Sequence, residues 1–362
     1  MSPHVLVAGG GIVGCMTALE LAERGCRVTL VERGEIASQS SGEASWAGAG
    51  LLFPLLPWMY ADAVNRLTLT GASLYPVLCE RLRSDTGIDP EYLRSGMLIL
   101  PAFDQAKAMG WCAAHDVEAV SVATAALTLQ SPSAGNGLWL PGVGQVRPPH
   151  LLQALRRALQ LRGITLLERT ELKPLAATAR MQSWETLDGR VLQADKFVVT
   201  SGAWSFELLR ANAMKLNIKP MRGQILLYRQ PEKQPLQHIV YREGFYMVPR
   251  QDGLLLAGST LEDVGFDKTT TESVKNDLSA KAEAILPALR HMPILKHWSG
   301  LRPGTPENLP TIAEHPQIRN LFLNTGHFRY GLTMAPCSAK MVVALICDQQ
   351  PMHDPAPFAF PV

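Results

Sequence analysis

The chain has 362 residues, long for one compact domain and enough for two. Hydrophobic residues make up 47% and charged residues 18%, and the net charge of +2 is scattered over both signs, which argues against a disordered chain, a nucleic-acid binder or an anionic-membrane binder. No run approaches the roughly 18 apolar residues needed to span a bilayer, and the six cysteines form no CxxC and no metal-like cluster with histidines.

These features predict a cytoplasmic protein with reduced, mostly buried thiols, no signal peptide and no metal. In chain order, His4–Ala8 reads as a short apolar strand and Gly9–Gly14 as a glycine turn. Ile12–Arg24 carries apolar residues at helical spacing, and Arg27–Glu32 is the next strand. Ser38–Gly50 reads as a long ordered loop, Ala63–Ser84 as a helix and Gly96–Pro101 as a strand. Pro149–Arg162 is an amphipathic helix, followed by a strand at Ile164–Glu168. Asp188-Gly189 marks a hairpin between Arg180–Leu187 and Arg190–Gln193. Lys196–Thr200 is a buried strand. Arg222–Arg229, Ile239–Tyr241, Phe245–Pro249 and Leu254–Gly258 read as successive antiparallel strands. Ser273–Leu286 is helical, Asn320–Thr325 a strand, and Gly331–Asp348 leads through a loop into the last helix.

The fold expected is α/β, α+β overall: a Rossmann-like nucleotide domain with an inserted, mainly antiparallel substrate domain. The expected division gives residues 1–58, 142–218 and 297–362 to the first, and 59–141 and 219–296 to the second.

Gly9, Gly11 and Gly14 match GxGxxG between a strand and a helix. Gly9 permits the tight turn, Gly11 the approach of a pyrophosphate, and Gly14 close helix–strand packing. Ile12 and Val13 open the helix whose free N–H groups would meet the phosphates. Glu32 ends the second strand, where an acid accepts hydrogen bonds from ribose hydroxyls. An acid here disfavours a 2′-phosphate and hence NADP. Arg33 stands beside Glu32 in the same cofactor-binding stretch, its charge most simply that of a solvated surface arginine. The motif alone leaves NAD and FAD open.

Four further segments carry a resemblance. Ser40-Ser41 with Ala47-Gly48-Ala49-Gly50-Leu51 resembles the loop that passes along the flavin in glycine oxidases. Thr200-Ser201-Gly202-Ala203-Trp204-Ser205 resembles their ASGAWS turn. Gly300-Leu301-Arg302-Pro303-Gly304 resembles the GLRP segment of D-amino-acid oxidases, and Gly326-His327-Phe328-Arg329-Tyr330-Gly331 their GHFRNG loop. Together they span nearly the whole chain in the family's order. The pattern resembles bacterial glycine oxidases of the thiamine-biosynthesis type, within the D-amino-acid oxidase family.

That resemblance implies non-covalent FAD, since no flavin-tethering cysteine lies in Arg302–Thr311. It implies that Arg302 holds the substrate carboxylate, which a guanidinium fork suits chemically; the alternative is a loop anchor paired with Glu307. Tyr246 is implied to complete that site, and Arg329 to lie near flavin and substrate. Cofactor contacts are implied for Leu172, whose backbone would meet the adenine, and for His327, Phe328, Arg329, Tyr330, Gly331, Leu332 and Thr333 around the last helix start. His327 is read as orienting its loop rather than as a base, and Trp204 as packing. The implied reaction takes a hydride from the α-carbon of glycine, sarcosine or a small D-amino acid. Molecular oxygen reoxidises the flavin, giving peroxide, ammonia and an oxo acid, or an imine for thiamine thiazole synthesis.

Three departures leave the substrate open: the longer stretch around Glu43–Trp46, the bulky Phe53–Trp58, and Gly244 where some relatives carry a larger polar group. Relatives tend to be homo-oligomers. The main rival is a D-amino-acid or imino-acid dehydrogenase feeding a quinone, which would share every motif. An NAD-dependent reductase and a non-catalytic FAD module are further from the pattern.

Overall fold

The structure, a computed structural model, describes residues 2–36, 43–123, 135–233 and 235–361. The apolar run His4–Ala8 becomes a strand buried on both faces and forms the middle of a six-stranded sheet. The strand order is Thr311–Glu314, Leu321–Thr325, Lys196–Val199, His4–Ala8, Arg27–Val31, Thr165–Leu167. All neighbours are parallel except the first pair.

The helix Ile12–Glu23 packs on this sheet with Pro148–Leu161, Asp62–Thr86 and Gly331–Ile346 in one apolar core. Two of these helices cross closely. A Cβ on Gly71 would lie 2.1 Å from the Thr333 carbonyl oxygen, so only glycine fits there. Pro336 interrupts the last helix by lacking the N–H that would reach the Leu332 carbonyl. The Tyr75 hydroxyl donates to that carbonyl instead.

A second sheet has eight strands, ordered Ile294–Gly304, Lys219–Arg229, Leu254–Gly258, Phe245–Pro249, Ile239–Arg242, Met97–Ile99, Asn136–Leu140, Val120–Ala123. It is antiparallel except where Ile239–Arg242 meets Met97–Ile99. One face carries Phe53, Leu55 and Trp58, and the helix Glu272–Ile285 covers the other.

Two segments sit differently from the expected division. The boundary at 296–297 falls inside the strand Ile294–Gly304, which hydrogen-bonds along Lys219–Arg229. Its Gly- and Pro-rich end hid it as a strand, and the edge position tolerates Pro303 because one side of the ladder needs no donor. Asp62–Thr86, expected with the substrate domain, buries its apolar stripe in the core of the six-stranded sheet. The helix Gln105–Ala114 and the strands Val120–Ala123, Asn136–Leu140 and Thr311–Glu314 were not expected. Of the loop expected at Ser38–Gly50, the described part folds as a helical turn at Ala44–Ala47.

Candidate active site

The glycine turn is shaped by what presses on it. Gly9 has φ of +119°, and a Cβ there would come within 2.7 Å of the Thr200 carbonyl oxygen. A Cβ on Gly14 would stand 1.8 Å from the Gly9 carbonyl oxygen, so the helix can pack this close to the strand only with glycine. Thr200 and Ser201 fasten the neighbouring turn to it: their hydroxyls donate to the Ala8 carbonyl at 3.1 and 2.7 Å.

Glu32 is held at both oxygens. Gly10 N–H donates to Oε2 at 2.7 Å and Gly34 N–H to Oε1 at 2.9 Å. Charge-assisted bonds of this kind fix the carboxylate at the cavity wall and leave lone pairs for hydroxyl donors. The Ile12 N–H, at the helix N-terminus, donates to Ser45 Oγ at 2.9 Å. Ser45 was missed in the sequence, where nothing marked this serine out from Ser38, Ser40 and Ser41.

A cavity of about 400 Å³ runs along the carboxyl ends of the parallel strands. Gly9, Gly11, Ile12, Val13, Glu32, Arg33, residues 48–51, Leu172, Tyr246, Arg302 and residues 327–333 all line it. Gly14 lies beneath the turn. Ala47 lies behind the wall, its carbonyl accepting from Trp298 Nε1 at 3.1 Å. Ser40 and Ser41 fall outside the described residues. Phe53 and Leu55, from the bulky proline-rich segment, also line the cavity.

The loop at 48–51 is gripped from the second sheet. Gly50 has φ of +77°, and a Cβ there would meet the Val146 carbonyl at 2.0 Å. Buried Arg250 donates from Nη2 to the Ala49 carbonyl at 2.6 Å, and from Nη1 to the Val146 carbonyl at 3.0 Å and Gln145 Oε1 at 2.6 Å. Burial pulls its pKa down to about 10, which still leaves it charged at neutral pH. The sequence reading ended its strand at Pro249 and gave Arg250 no role.

Arg302 reaches the cavity by lying across the adjacent strand. A Cβ on Gly223 would be 1.9 Å from its Nη1. Nη2 donates to Ser259 Oγ at 2.7 Å and Nη1 to the Thr260 carbonyl at 3.2 Å. Burial lowers its pKa from the usual guanidinium range, Tyr246 opposes that shift, and the charge of Arg329 adds to it. No carboxylate lies within ion-pair distance of Arg302 among the described residues, so the alternative of pairing with Glu307 is not what the structure shows.

His327 is buried at the cavity wall, and burial pushes its pKa down to about 3. It is therefore neutral at neutral pH. Its Nε2 has no hydrogen-bond partner among the described residues. Phe328 follows with φ of +46°, a costly conformation for a non-glycine residue. Arg329 is exposed at the rim, its guanidinium 5.5 Å from the Phe328 ring centroid. Tyr330 accepts at its hydroxyl from the Leu55 N–H at 3.1 Å, tying the proline-rich segment to the start of the last helix. The first-turn N–H groups of that helix, at residues 331–333, open on the cavity without intrahelical partners. Trp204, expected to pack, belongs to no apolar core; it stands at the cavity wall.

These features suit an FAD whose diphosphate meets the glycine turn. The cradle at Gly9 and Gly14 would be filled by any Cβ, Glu32 suits a ribose, and an unpartnered imidazole nitrogen and free helix N–H groups wait where a polar ring would lie. A dinucleotide fold whose cleft also carries a half-buried guanidinium with no carboxylate partner among the described residues defines a cofactor-dependent redox enzyme. The chain belongs to the FAD dependent oxidoreductase family, whose match spans residues 4–345. It is 41% identical to a glycine oxidase of Pseudomonas aeruginosa over 99% of both chains. It is 30% identical to the bifunctional protein ThiO/ThiG of Trichormus variabilis, over 97% of this chain and 53% of that protein. The glycine oxidase structure from Geobacillus kaustophilus superposes with a TM-score of 0.89 at 29% identity, covering 99% of each chain. The quinone-linked dehydrogenase alternative is not favoured by these relatives. No helix among the described residues is long and apolar enough to cross a membrane.

Proposed function

We propose that the protein oxidises glycine and other small α-amino acids, sarcosine and small D-amino acids included, with oxygen as electron acceptor. The observation that carries this reading is Arg302, a half-buried cation beside Tyr246 in the cofactor cavity with no carboxylate partner among the described residues. Such a group is matched by a substrate carboxylate, and Ser259 and Thr260 hold its fork in place meanwhile. Tyr246 would donate its hydroxyl to the same carboxylate. Arg329 at the rim would attract the anionic end and lie over the bound substrate. Phe53 and Leu55 would limit the side chain that fits, which favours small substrates.

FAD, when bound, supplies the redox chemistry by accepting two electrons and passing them to oxygen. The chain's part is orientation and electrostatics. Neutral His327 would use its free Nε2 towards the ring system, and the helix start at residues 331–333 would present N–H donors and a positive dipole end. Gly9, Gly11, Ile12 and Val13 would meet the diphosphate, Glu32 the ribose, Leu172 the adenine, and residues 48–51 the flavin edge. Arg302 and Tyr246 then come from the eight-stranded sheet, whereas Arg329 and the glycine turn follow strands of the six-stranded one.

The relationship to ThiO/ThiG proteins supports use of the product imine in thiamine synthesis. Free cysteines, five of the six buried, suit the cytoplasm. A homo-oligomer belongs to the same reading and would show in light scattering.

A peroxide assay on glycine, sarcosine, D-alanine and D-proline, with ammonia measured in parallel, is the deciding experiment. Stoichiometric peroxide from glycine is expected. A yellow protein that reduces a quinone analogue with these substrates and makes no peroxide would overturn the reading.

A further inference from the structure

Arg33 and Trp204 come from two different strands of the six-stranded sheet. Arg33 lies just beyond Arg27–Val31, and Trp204 in the turn beyond Lys196–Val199. The strand His4–Ala8 runs between those two, so the glycine turn that ends it lies between Arg33 and Trp204. Their side chains nonetheless meet. The Arg33 guanidinium carbon stands 3.9 Å from the Trp204 ring centroid. The contact therefore crosses the carboxyl end of the central strand, where a dinucleotide places its diphosphate. Both residues line the cofactor cavity.

Core packing does not explain the arrangement, because the Arg33 side chain is 36% exposed. Instead, other groups hold the pair. Glu43 binds Arg33 at 3.1 Å and approaches Lys268 at 3.6 Å. Lys268 Nζ is 5.1 Å from the Trp204 centroid, and Phe266 tilts against the same ring at 5.4 Å. Phe266 and Lys268 lie on the segment that follows Leu254–Gly258 of the other sheet. Buried Arg222 pins that segment through Glu262 and Asp267, each at 2.7 Å. One indole ring thus collects a cation from each side of the cleft.

We propose that Trp204 and Arg33 form a cation–π strap that closes the cofactor cleft over the diphosphate and governs how fast FAD leaves. With the glycine turn beneath and this pair above, a bound diphosphate departs only when the two side chains separate. Trp204 is therefore a cofactor-retaining residue.

FAD release from the holoenzyme tests this, followed by flavin fluorescence after dilution into an excess of an FAD-specific apoprotein trap. Trp204→Ala and Arg33→Ala should each release FAD about 3- to 30-fold faster, about 0.7–2 kcal/mol of cation–π contact. The double variant should release it no faster than the quicker single one, because either change already opens the strap. Trp204→Phe, which keeps an aromatic face and guards against a merely misfolded alanine variant, should fall between wild type and Trp204→Ala. Release rates within twofold of wild type in both single variants would overturn the proposal, as would effects that multiply in the double variant. The readout needs no amino-acid substrate, so it is separate from the choice of substrate.

Discussion

Arg302 brings a full charge into a cleft where the neighbours it touches are a hydroxyl, a carbonyl and a phenol. Replacing it with alanine should cost about 3–5 kcal/mol of carboxylate binding, on the order of a hundredfold to a few thousandfold in kcat/KM for glycine. The flavin absorption should persist, since the cofactor contacts lie elsewhere. Unchanged steady-state kinetics in the alanine variant would remove Arg302 from the site. His327 makes a different demand. Its pKa is lowered from 6.5 to about 3 by burial, so between those values the unfolded chain binds a proton that the folded chain excludes. Stability from this residue is complete above pH 6.5 and falls as the pH drops towards 3, by up to about 1.4 kcal/mol per pH unit. Thermal melts from pH 7.5 to 4.5 should show wild type losing stability faster than His327→Gln. Parallel losses would mean that the imidazole is not buried as described. Both residues were legible from their motifs. Ser45 and Arg250 were not, because a serine in a Ser-rich stretch and an arginine after a strand carry no local mark of the distant carbonyls and N–H groups they meet.

At the scale of elements, long periodic segments were read well and short polar ones poorly. Phe245–Pro249 and Leu254–Gly258 match their expected bounds, because apolar runs between turn residues leave little choice. Val120–Ala123 is largely exposed at the sheet edge, so its sequence has no buried face to display. Ile294–Gly304 was hidden for the opposite reason: its glycines serve the close approach of other groups, not a turn. A Cβ on Gly300 would meet the Ala47 side chain at 2.5 Å. The crossing of Asp62–Thr86 and Gly331–Ile346 offers the sharpest test at this scale. Gly71→Ala would press a methyl group on the Thr333 carbonyl and should destabilise the fold by about 1–3 kcal/mol, read as a lower Tm. Because Thr333 belongs to the first turn facing the cavity, FAD affinity should weaken alongside. A normal Tm with normal FAD binding would show that the helices have room to part.

Across the whole molecule, the two sheets meet at the cofactor cleft and are held there by Arg250. This arginine sits at the end of a strand of one sheet and grips the cavity-lining loop at residues 48–51 through the Ala49 carbonyl and the adjoining segment through the Val146 carbonyl. Arg250→Met keeps much of the volume but leaves those buried carbonyls bare, at about 1–3 kcal/mol each. The variant should melt earlier and release FAD more readily, checked by calorimetry with and without added FAD. A variant as stable as wild type in both conditions would mean that water replaces the guanidinium. The α/β class and the alternation between parallel and antiparallel stretches were visible in the order of motifs. The meeting of the sheets was not, since it depends on contacts between residues about two hundred positions apart in sequence, such as Ala49 and Arg250.

The order of strands in the six-stranded sheet also fixes a sequence of events during synthesis. His4–Ala8 is made long before its neighbour Lys196–Val199, and Leu321–Thr325 beyond that is made later again. The helix start at residues 331–333 comes later still. A growing chain therefore carries its glycine motif unfinished until these later strands are made. Flavin capture then waits for the segment around residues 331–333, and polypeptides cut short before the helix Gly331–Ile346 should emerge colourless despite an intact fingerprint.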